Sequence, residues 1–424
     1  MTPERTPLIL HAWFLGTWLF AYPIAALSRY FHRRMGADPK RFPERLGRRG
    51  PDSPGDFIWF HAASLGEVIQ IGPLASELVR TKQLNILITT TTAAGADWVA
   101  EKMPYAHHRF APLDTPAAIR RFLDAWPISV AIFIEGDLWP RLVKTLQKRG
   151  IPQALLNARH SRTRLRFPTA FSSLLASFQL VTCRSQAIAG EMRGMGVREA
   201  GVRVLPDLRL TLPRLMADQA LIDPLADALA DRPLWLAAST HSTDELAVLK
   251  AHIEVLKTNP ETLLVIAPRH PRRADQIKKI AHDQGLKIAQ RSINEGISAD
   301  IQVYLADTLG ELGIFYTLSP IAFLGGSFGT EGGHNPYEPA SFNTALLYGP
   351  NVKNFSAAYK ALTQAGAALQ AQHPSKLGPI LTDLIKADKV EKMAKAGAAF
   401  MNEAQGSLST YSTLVLGILE KSER

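Results

Sequence analysis

The sequence is poor in the residues and motifs that mark disulfide-bonded and metal-binding proteins. Its 424 residues include one cysteine, Cys183. A single cysteine excludes a disulfide framework and a cysteine-rich zinc site, and it is compatible with a reducing compartment. No Asp-x-Asp and no His-Glu-x-x-His segment occurs, so the usual carboxylate pair for a nucleotide-bound divalent metal and a common histidine zinc motif are both missing. We therefore expect no bound metal and no other cofactor.

The composition indicates a folded protein with an anionic partner. Hydrophobic residues make up 46% of the chain and charged residues 20%, without a low-complexity segment or a solenoid-type repeat, which is typical of globular proteins. The length is sufficient for two domains of ordinary size. A formal net charge of +10 favours nucleic acid, a nucleotide or an acidic membrane surface as the partner. Because zinc-finger spacing and RNA-recognition signatures are missing, nucleic acid is not the predicted partner.

The most apolar segment, Leu8–Leu27, lies near the N-terminus. As one helix it would span roughly 30 Å, about the thickness of the hydrocarbon core of a bilayer. Eight Lys or Arg residues follow between Ser28 and Gly50, a bias that keeps the following chain cytoplasmic and favours anionic lipid. No small-residue cleavage site is evident, so we predict a retained membrane anchor over residues 1–28. The alternative is a buried N-terminal helix followed by a solvated basic tail, and Pro23 weakens a spanning helix.

Short apolar runs followed by polar turns and helical patterns recur along the chain. One series begins at Phe57–Phe60, and a second begins near Pro206. Repeated strand–helix units predict parallel, doubly wound α/β sheets, whose ligands bind beyond the carboxyl ends of the strands. We therefore expect two such domains with polar strand ends converging on a cleft, an architecture compatible with a nucleotide sugar.

Polar residues follow the predicted strands in the first half of the chain. Glu67 follows Phe57–Phe60 and falls near the start of a predicted helix. A carboxylate there is suited to general-base catalysis, or, as the alternative, to capping the helix. Glu135, Asn157 and Arg159 fall at the ends of later strands, where polar residues are also ordinary caps and turn residues.

A glycine-rich loop, Gly325–Ala340, follows the apolar run Ile321–Leu324. Asn335-Pro336 can cap and start a helix, with Glu338 in its first turn. Free N–H groups and the helix dipole at such a junction favour a bound anion, glycine lets the backbone approach a ligand, and a carboxylate suits ribose hydroxyls. A glycine-rich surface turn is the alternative. A second phosphate site, or else a solvated basic loop, is predicted at Pro268–Arg273.

Together these segments resemble those of the 3-deoxy-D-manno-octulosonic acid (Kdo) transferases over roughly residues 40–400. The resemblance includes the apolar N-terminal segment and is carried by short motifs in the correct order, none of which is sufficient alone. The motifs are Glu44–Gly47, His61–Val68, Glu135–Pro140, Asn157–Arg159 with Ser161, Ser239–His241, Ala267–Pro271, Asp307–Leu312, and Gly332–Pro336 with Glu338-Pro339.

The resemblance implies a GT-B glycosyltransferase with two Rossmann-like domains facing a cleft and an N-terminal membrane-anchoring helix. We expect an anchor over residues 1–28, an acceptor-side domain over 29–205 and a donor domain over 206–424. The family consists of inverting, metal-independent enzymes that transfer Kdo from CMP-Kdo to the lipid A precursor (lipid IVA) in lipopolysaccharide assembly. The implied location is the cytoplasmic face of the inner membrane, with anionic inner-membrane lipid as a further partner.

The resemblance also implies roles for individual residues. Glu67 matches the general base and Glu135 a second carboxylate near the acceptor. Ser64, Asn157 and Arg159 complete the acceptor side. The implied donor-binding residues are Pro268, Arg269, Glu311, Gly325, Gly326, Ser327, Gly333, His334, Asn335 and Glu338. Arg269 and the loop N–H groups would bind the leaving phosphate, and Glu338 the ribose hydroxyls.

The sequence departs from the family pattern at several positions. Pro206–Arg209 stands where the family usually has Gly-Asn-Leu-Lys, and Thr243–Glu245 where it favours a Gly followed by two Glu. Gly136 replaces a common Thr, and Asn343 stands where a Gly is expected. These changes bear on the acceptor preference and on the number of Kdo units added, and they leave a diverged paralogue open. Another GT-B transferase or an epimerase is the alternative enzyme, and a non-catalytic membrane or nucleic-acid binding protein is the alternative from another class.

Overall fold

The structure is a computed structural model that describes residues 6–51, 55–82, 84–212, 214–229, 232–385 and 389–422. The chain divides into two compact units: unit 1 comprises Met1–Leu212 with Ala404–Arg424, and unit 2 comprises Pro213–Glu403. The predicted boundary between residues 205 and 206 lies close to this division. The predicted assignment of residues 404–424 to the second domain differs from it, because side chains from Tyr411 to Leu419 enter a core of unit 1.

Unit 1 contains a seven-stranded parallel sheet. Its strands are β1 (Phe57–His61), β2 (Asn85–Thr90), β3 (His107–Phe110), β4 (Ile128–Ile134), β5 (Gln153–Ala158), β6 (Leu180–Cys183) and β7 (Val202–Val204). They lie in the order β3-β2-β1-β4-β5-β6-β7. Every residue of β1 is buried, because both faces of a parallel sheet are covered and its strands are continuous apolar runs. The strand order reverses between β1 and β4, which places the switch point of the sheet at their carboxyl ends.

Three helices of unit 1 precede its first strand, and the others alternate with the strands and cover the sheet. The helices are α1 (Leu8–Leu19), α2 (Ala21–Arg34), α3 (Phe42–Arg45), α4 (Leu65–Lys82), α5 (Ala93–Lys102), α6 (Pro116–Ala125), α7 (Pro140–Lys148), α8 (Arg162–Arg166), α9 (Pro168–Leu175) and α10 (Gln186–Gly194). One core contains Trp59 and Trp126, and a separate core contains Val68 and Ile71 of α4.

Unit 2 contains a second seven-stranded parallel sheet. Its strands are β8 (Leu234–Thr240), β9 (Leu263–Pro268), β10 (Ile288–Gln290), β11 (Val303–Leu305), β12 (Ile321–Leu324), β13 (Ala345–Tyr348) and β14 (Ala368–Gln370). They lie in the order β10-β11-β9-β8-β12-β13-β14. The reversal falls between β8 and β12, so the loops after these strands share one edge of the sheet. The prediction of parallel α/β sheets is confirmed in both units.

The remaining helices belong to unit 2, except for α19, which belongs to unit 1. They are α11 (Gln219–Leu229), α12 (Ser242–Leu256), α13 (Ala274–Asp283), α14 (Leu312–Leu318), α15 (Tyr337–Ala340), α16 (Ser356–Gln364), α17 (Leu377–Ile385), α18 (Lys389–Gln405) and α19 (Ser407–Ser422). Tyr411 of α19 donates a hydrogen bond from its hydroxyl to the carbonyl of Pro206 at 2.9 Å, within unit 1.

The apolar N-terminal segment forms two helices instead of the single helix that we predicted. The break falls at Phe20, between α1 and α2, and the two helices meet at an angle of 76°. Pro23 explains the break, since it has no N–H to donate to Leu19 and its ring would clash with that carbonyl in a continuous helix. Within the described residues no single helix is long and apolar enough to cross a membrane, and the bent pair meets that test by length and composition only.

Candidate active site

Glu67 lies at the start of α4, just beyond the carboxyl end of β1. Its Oε2 accepts the backbone N–H of Ala63 at 2.7 Å, and its Oε1 accepts the hydroxyl of Ser64 at 3.2 Å. The backbone N–H of Glu67 in turn donates to Ser64 Oγ at 3.4 Å. This reciprocal pattern resembles a capping box, so Glu67 and Ser64 stabilise the helix start. The same bonds hold a half-buried carboxylate in one orientation at the switch point.

The surroundings of Glu67 make its carboxylate more basic than an exposed one. Burial raises its pKa, the N–H of Ala63 lowers it, and the nearby charge of Glu135 raises it again. A carboxylate that binds protons more readily than usual is a better general base near neutral pH. The capping and general-base interpretations are therefore compatible in this structure.

Glu135 follows β4 in a left-handed backbone conformation, with φ of 57°. A non-glycine residue rarely adopts this conformation, and such strain clusters at functional sites. Its Oε1 accepts the side-chain amide of Gln70 at 3.2 Å, and its Oε2 lies 3.2 Å from Nη1 of Arg159. The Arg159 side chain is 58% exposed. Glu135 and Arg159 thus form an ion pair that is open to solvent on the arginine side.

Asn157, predicted on the acceptor side, lies at the end of β5. It is fully buried. Its Nδ2 donates to Gln70 Oε1 at 2.6 Å and to Asp207 Oδ1 at 3.0 Å. Asn157 therefore positions Gln70, which in turn binds Glu135. The acceptor-side role of Asn157 stays a prediction, and the contacts of its side chain amide are with other residues of unit 1.

Sequence reasoning did not identify Gln70 or Asp207 as parts of this cluster. Gln70 follows Glu67 by three residues, and this helical spacing places the two on one face of α4. Asp207 belongs to the segment that departs from the family pattern, Pro206–Arg209. Its carboxylate also binds Arg184 at 3.1 Å and Arg209 at 3.0 Å, so the substituted segment is held by ion pairs of its own.

The glycine-rich loop of unit 2 is held from within by a buried carboxylate. Asp244, in the first turn of α12, is fully buried. Its Oδ2 accepts the N–H groups of Gly326 at 2.7 Å and His241 at 2.9 Å, and its Oδ1 accepts that of Phe328 at 3.2 Å. Asp244 therefore binds one of the N–H groups that we predicted for an external anion, that of Gly326.

Two more of the N–H groups predicted for the leaving phosphate are also used within the chain. The Gly325 N–H donates to the carbonyl of Ala238 at 2.8 Å, and the Gly333 N–H to that of Gly326 at 2.7 Å. Ser327 is fully buried. The prediction that Gly325, Gly326 and Gly333 offer free N–H groups is therefore wrong in this structure. Glycine is needed here for close approach, since a Cβ on Gly325 would lie 2.6 Å from the carbonyl oxygen of Ser239.

Glu338 lies in the short helix α15, next to Asn335. Asn335 Nδ2 donates to Glu338 Oε1 at 3.3 Å, and Asn335 Oδ1 accepts the N–H of Tyr337 at 3.2 Å. Burial raises the pKa of Glu338, whereas Asn335 and the charge of Arg269 lower it. Arg269 follows Pro268, the last residue of β9, and is exposed. The structure thus brings Glu338, Asn335 and Arg269 to one edge of the sheet.

Three histidines meet at the same edge of unit 2. The rings of His241 and His334 are stacked, and their Nε2 atoms are 2.9 Å apart. Burial, followed by the charges of His241 and Arg269, lowers the pKa of His334 to about 4, so its ring is neutral at physiological pH. The ring of His270 meets that of His241 edge-on at 5.7 Å.

A cavity of about 240 Å³ lies beside these histidines. Its lining consists of His241, Ser242, His270, Arg272, Arg273 and Gln276. Arg273 is paired with the buried Glu245 at 2.6 Å, whereas Arg272 is exposed. The lining of this cavity offers hydroxyl, imidazole and guanidinium groups and includes no acidic residue. Such a lining can donate hydrogen bonds to a small anion.

Glu311 is engaged elsewhere in unit 2. Its carboxylate accepts two hydrogen bonds from Arg291, at 3.0 and 2.8 Å, and a short one from the hydroxyl of Thr308. The bonds from Arg291 are the main reason why its pKa is lowered. In the described part of the chain, none of its hydrogen bonds goes to the glycine-rich loop.

No group of three or more His, Cys, Asp or Glu residues that could hold a metal occurs among the described residues.

Comparisons with known proteins identify relatives over most of the chain. Residues 40–212 match the family model described as 3-deoxy-D-manno-octulosonic-acid transferase. A probable mitochondrial 3-deoxy-D-manno-octulosonic acid transferase of Arabidopsis thaliana is 35% identical, over 84% of this chain and 83% of that protein. The 3-deoxy-D-manno-octulosonic acid transferase of Haemophilus influenzae is 31% identical, over 90% of this chain and 92% of that protein.

Solved structures share the fold at much lower identity. The UDP-GlcNAc 2-epimerase of Neisseria meningitidis has a TM-score of 0.58 and 14% identity, over 87% of this chain and 100% of that chain. MurG of Acinetobacter baumannii has a TM-score of 0.56 and 14% identity, over 87% of this chain and 100% of that chain. At such identities these matches establish a GT-B-like fold alone. On the evidence of its sequence relatives, the chain belongs to the 3-deoxy-D-manno-octulosonic acid (Kdo) transferase family of glycosyltransferases.

Proposed function

We propose that this enzyme transfers Kdo from CMP-Kdo to the lipid A precursor lipid IVA. Membership of the family supports Kdo transfer in lipopolysaccharide biosynthesis. The observation that carries the proposal is the orientation of Glu67, whose half-buried carboxylate is fixed by Ala63 and Ser64. An enzyme that transfers a sugar to a hydroxyl needs a base held at such a place.

The acceptor hydroxyl reacts beside Glu67 in this mechanism. Glu67 removes the hydroxyl proton while the oxygen forms a bond to the anomeric carbon of Kdo. The bond between that carbon and the phosphate oxygen breaks, CMP leaves with the electron pair, and the configuration inverts. Arg159 and Glu135 offer a cation and a carboxylate to polar groups of the acceptor, and Ser64 holds the base in position.

The nucleotide binds at the edge of unit 2. The carboxylate of Glu338, held by Asn335, accepts hydrogen bonds from ribose hydroxyls. Arg269 and the lining of the 240 Å³ cavity stabilise the charge that develops on the phosphate of CMP. The glycine-rich loop, internally bonded through Asp244, lets the nucleotide approach the backbone closely and binds it by shape more than by free N–H groups.

A transfer assay with purified enzyme tests this function. Incubation with CMP-Kdo and lipid IVA should release CMP and increase the mass of the lipid by one or more Kdo units, with no metal added. The number of units follows from the same mass spectrum. Stabilisation by UDP but not by CMP in thermal unfolding, together with no product, would favour a transferase or epimerase that uses another nucleotide sugar.

Unit 1 also carries a surface suited to the cytoplasmic face of the inner membrane, which we propose as the location of the enzyme. Apolar side chains on α1, α2 and the turn between them are exposed: Leu8, Leu15, Trp18, Leu19, Phe20, Leu27 and Phe31. Beside them lies a cavity of about 950 Å³ whose lining includes Arg29, Arg33, Arg34, Arg48 and Arg121. Apolar and cationic groups side by side favour insertion into a bilayer with anionic headgroups.

Replacing Arg29, Arg33 and Arg34 by glutamine together should weaken binding to anionic vesicles. Each basic residue near such a surface contributes about 1 kcal/mol, so the triple variant should lose roughly 100-fold in affinity at low salt. Sedimentation with vesicles containing anionic or only zwitterionic lipid measures the effect. Exposed lysines of unit 2 provide a matched control, the triple variant of Lys279, Lys360 and Lys376 to glutamine. Equal loss in both variants would contradict a specific membrane surface.

A further inference from the structure

Two partly exposed tryptophans lie next to each other on unit 1. Trp13 of α1 and Trp139, just before α7, are 39% and 37% exposed. Their ring centroids are 6.3 Å apart and the rings are inclined by 43°. Two large aromatic side chains exposed at one place form an apolar patch, which on a folded protein is typical of a binding surface.

Carboxylates hold both rings in place. Trp13 Nε1 donates to Asp114 Oδ2 at 2.6 Å, and Trp139 Nε1 donates to Asp137 Oδ2 at 3.2 Å. Asp114 also accepts the backbone N–H of Arg141 at 3.0 Å, which ties α1 to the start of α7. Because both indole N–H groups are used within the protein, the surface that remains for a ligand is mainly the carbon face of each ring.

A short path connects this pair to the candidate base. Asp137 Oδ2 lies 3.2 Å from Nε2 of His61, the last residue of β1. The turn after His61 supplies the Ala63 N–H that binds Glu67. Burial is the main cause that raises the pKa of Glu67, and the charges of His61 and Asp137 act on it as well. The tryptophan pair and the base therefore share one edge of the sheet.

Other apolar side chains of α1 lie on the opposite side of the helix from Trp13 and are exposed. Leu15, Trp18 and Leu19 are 56%, 62% and 56% exposed. A glycolipid acceptor has to keep its acyl chains in an apolar phase while one of its sugar hydroxyls reaches Glu67. Tryptophan is suited to this boundary, because its side chain combines a large apolar face with one polar edge.

We infer that Trp13 and Trp139 form an aromatic platform that binds the sugar ring of the glycolipid acceptor. The inference rests on the proposed function, which supplies that acceptor. A pyranose ring presents a flat C–H face to an aromatic ring, and the Asp137 side chain, 36% exposed, accepts hydrogen bonds from neighbouring hydroxyls. Trp13 and Trp139 are thus positioning residues for the acceptor, and Glu67 remains the base.

Steady-state kinetics of Trp139→Ala in detergent micelles test the platform. The KM for lipid IVA should rise about fivefold or more, as expected for the loss of one aromatic contact. The KM for CMP-Kdo should stay unchanged, and Trp139→Phe should restore most of the acceptor affinity because it keeps an aromatic face. Tyr105, 39% exposed and placed before β3, provides the control variant Tyr105→Ala, whose acceptor KM should equal that of the wild type.

The outcomes separate this inference from the proposed function. A wild-type enzyme that forms no Kdo-lipid product would overturn the function itself. Normal transfer by the wild type, with the same acceptor KM in a folded Trp139→Ala variant, would overturn the platform alone. The platform would also be overturned if Trp139→Ala bound vesicles more weakly while its acceptor KM in micelles stayed unchanged. That result would assign Trp13 and Trp139 to the membrane surface. Thermal unfolding of each variant shows whether it is folded.

Discussion

Replacing Glu67 by glutamine is expected to lower the rate of Kdo transfer by about 10²–10⁴-fold. Glutamine can still accept the Ala63 N–H that Glu67 binds at 2.7 Å, so the start of α4 should stay intact while the base is lost. Binding of CMP should persist, measured as a stabilisation of about 2.7 kcal/mol at a CMP concentration 100 times its Kd. CMP release from CMP-Kdo in the presence of lipid IVA measures the rate.

The matched control for this variant lies on the same helix. Glu77 pairs with Arg80 at 2.8 Å, and Glu77→Gln should transfer Kdo at the wild-type rate. A normal rate in Glu67→Gln would show that Glu67 is not the base.

The pH dependence of the reaction is a second test of Glu67. Because the pKa of Glu67 is raised above 4.5, the base is protonated as the pH falls through that raised pKa. The kcat/KM of the wild type should therefore fall on the acid side with an apparent pKa above that of an exposed glutamate.

Replacing Asp244 by alanine is expected to loosen the glycine-rich loop and to weaken CMP binding more than about 10-fold. The carboxylate accepts the N–H groups of Gly326, Phe328 and His241. Removing it leaves these donors without a partner, and a buried unsatisfied donor costs about 1–3 kcal/mol. The free energy of unfolding should fall by roughly 3 kcal/mol or more, measured by chemical denaturation, and CMP affinity is measured by titration calorimetry.

A second aspartate of unit 2 provides the control for Asp244. Asp275 lies in the first turn of α13 with a 93% exposed side chain, so Asp275→Ala should change neither the stability nor CMP binding appreciably. CMP affinity equal to the wild type in Asp244→Ala would show that the internal bonds of the loop are not needed for the nucleotide. A loss of affinity in both variants would indicate an effect of net charge instead.

The sheets could be predicted from the sequence because buried parallel strands have a local signature. Phe57–Phe60 and Ile321–Leu324 are continuous apolar runs, and such runs need no information from distant parts of the chain. The break at Phe20 could also have been predicted more firmly from Pro23, whose effect on the helix is local. The place of α19 could not, since an amphipathic helix does not specify which core it completes.

The site was predictable in position and less so in its bonding. The glycine-rich loop lies at the predicted strand end, but the N–H groups of Gly326 and Phe328 are occupied by Asp244, which precedes Gly326 by 82 residues. Asn157 likewise lies at the end of a strand, yet it is buried against Gln70, 87 residues earlier. Local patterns place a residue at an edge of a sheet, whereas its partners depend on contacts that only the folded chain brings together.

The return of α19 to unit 1 has a consequence for how the protein is made. Tyr411, Val415, Ile418 and Leu419 complete a core that also contains Val68 and Ile71, and the ribosome adds them after unit 2. Synthesis of the intervening unit takes on the order of 10–40 s. During that time the first unit lacks one helix and exposes apolar surface to chaperones and to other nascent chains. A chain that terminates before α19 therefore cannot form a complete unit 1, even though nearly all of unit 1 precedes unit 2 in the sequence.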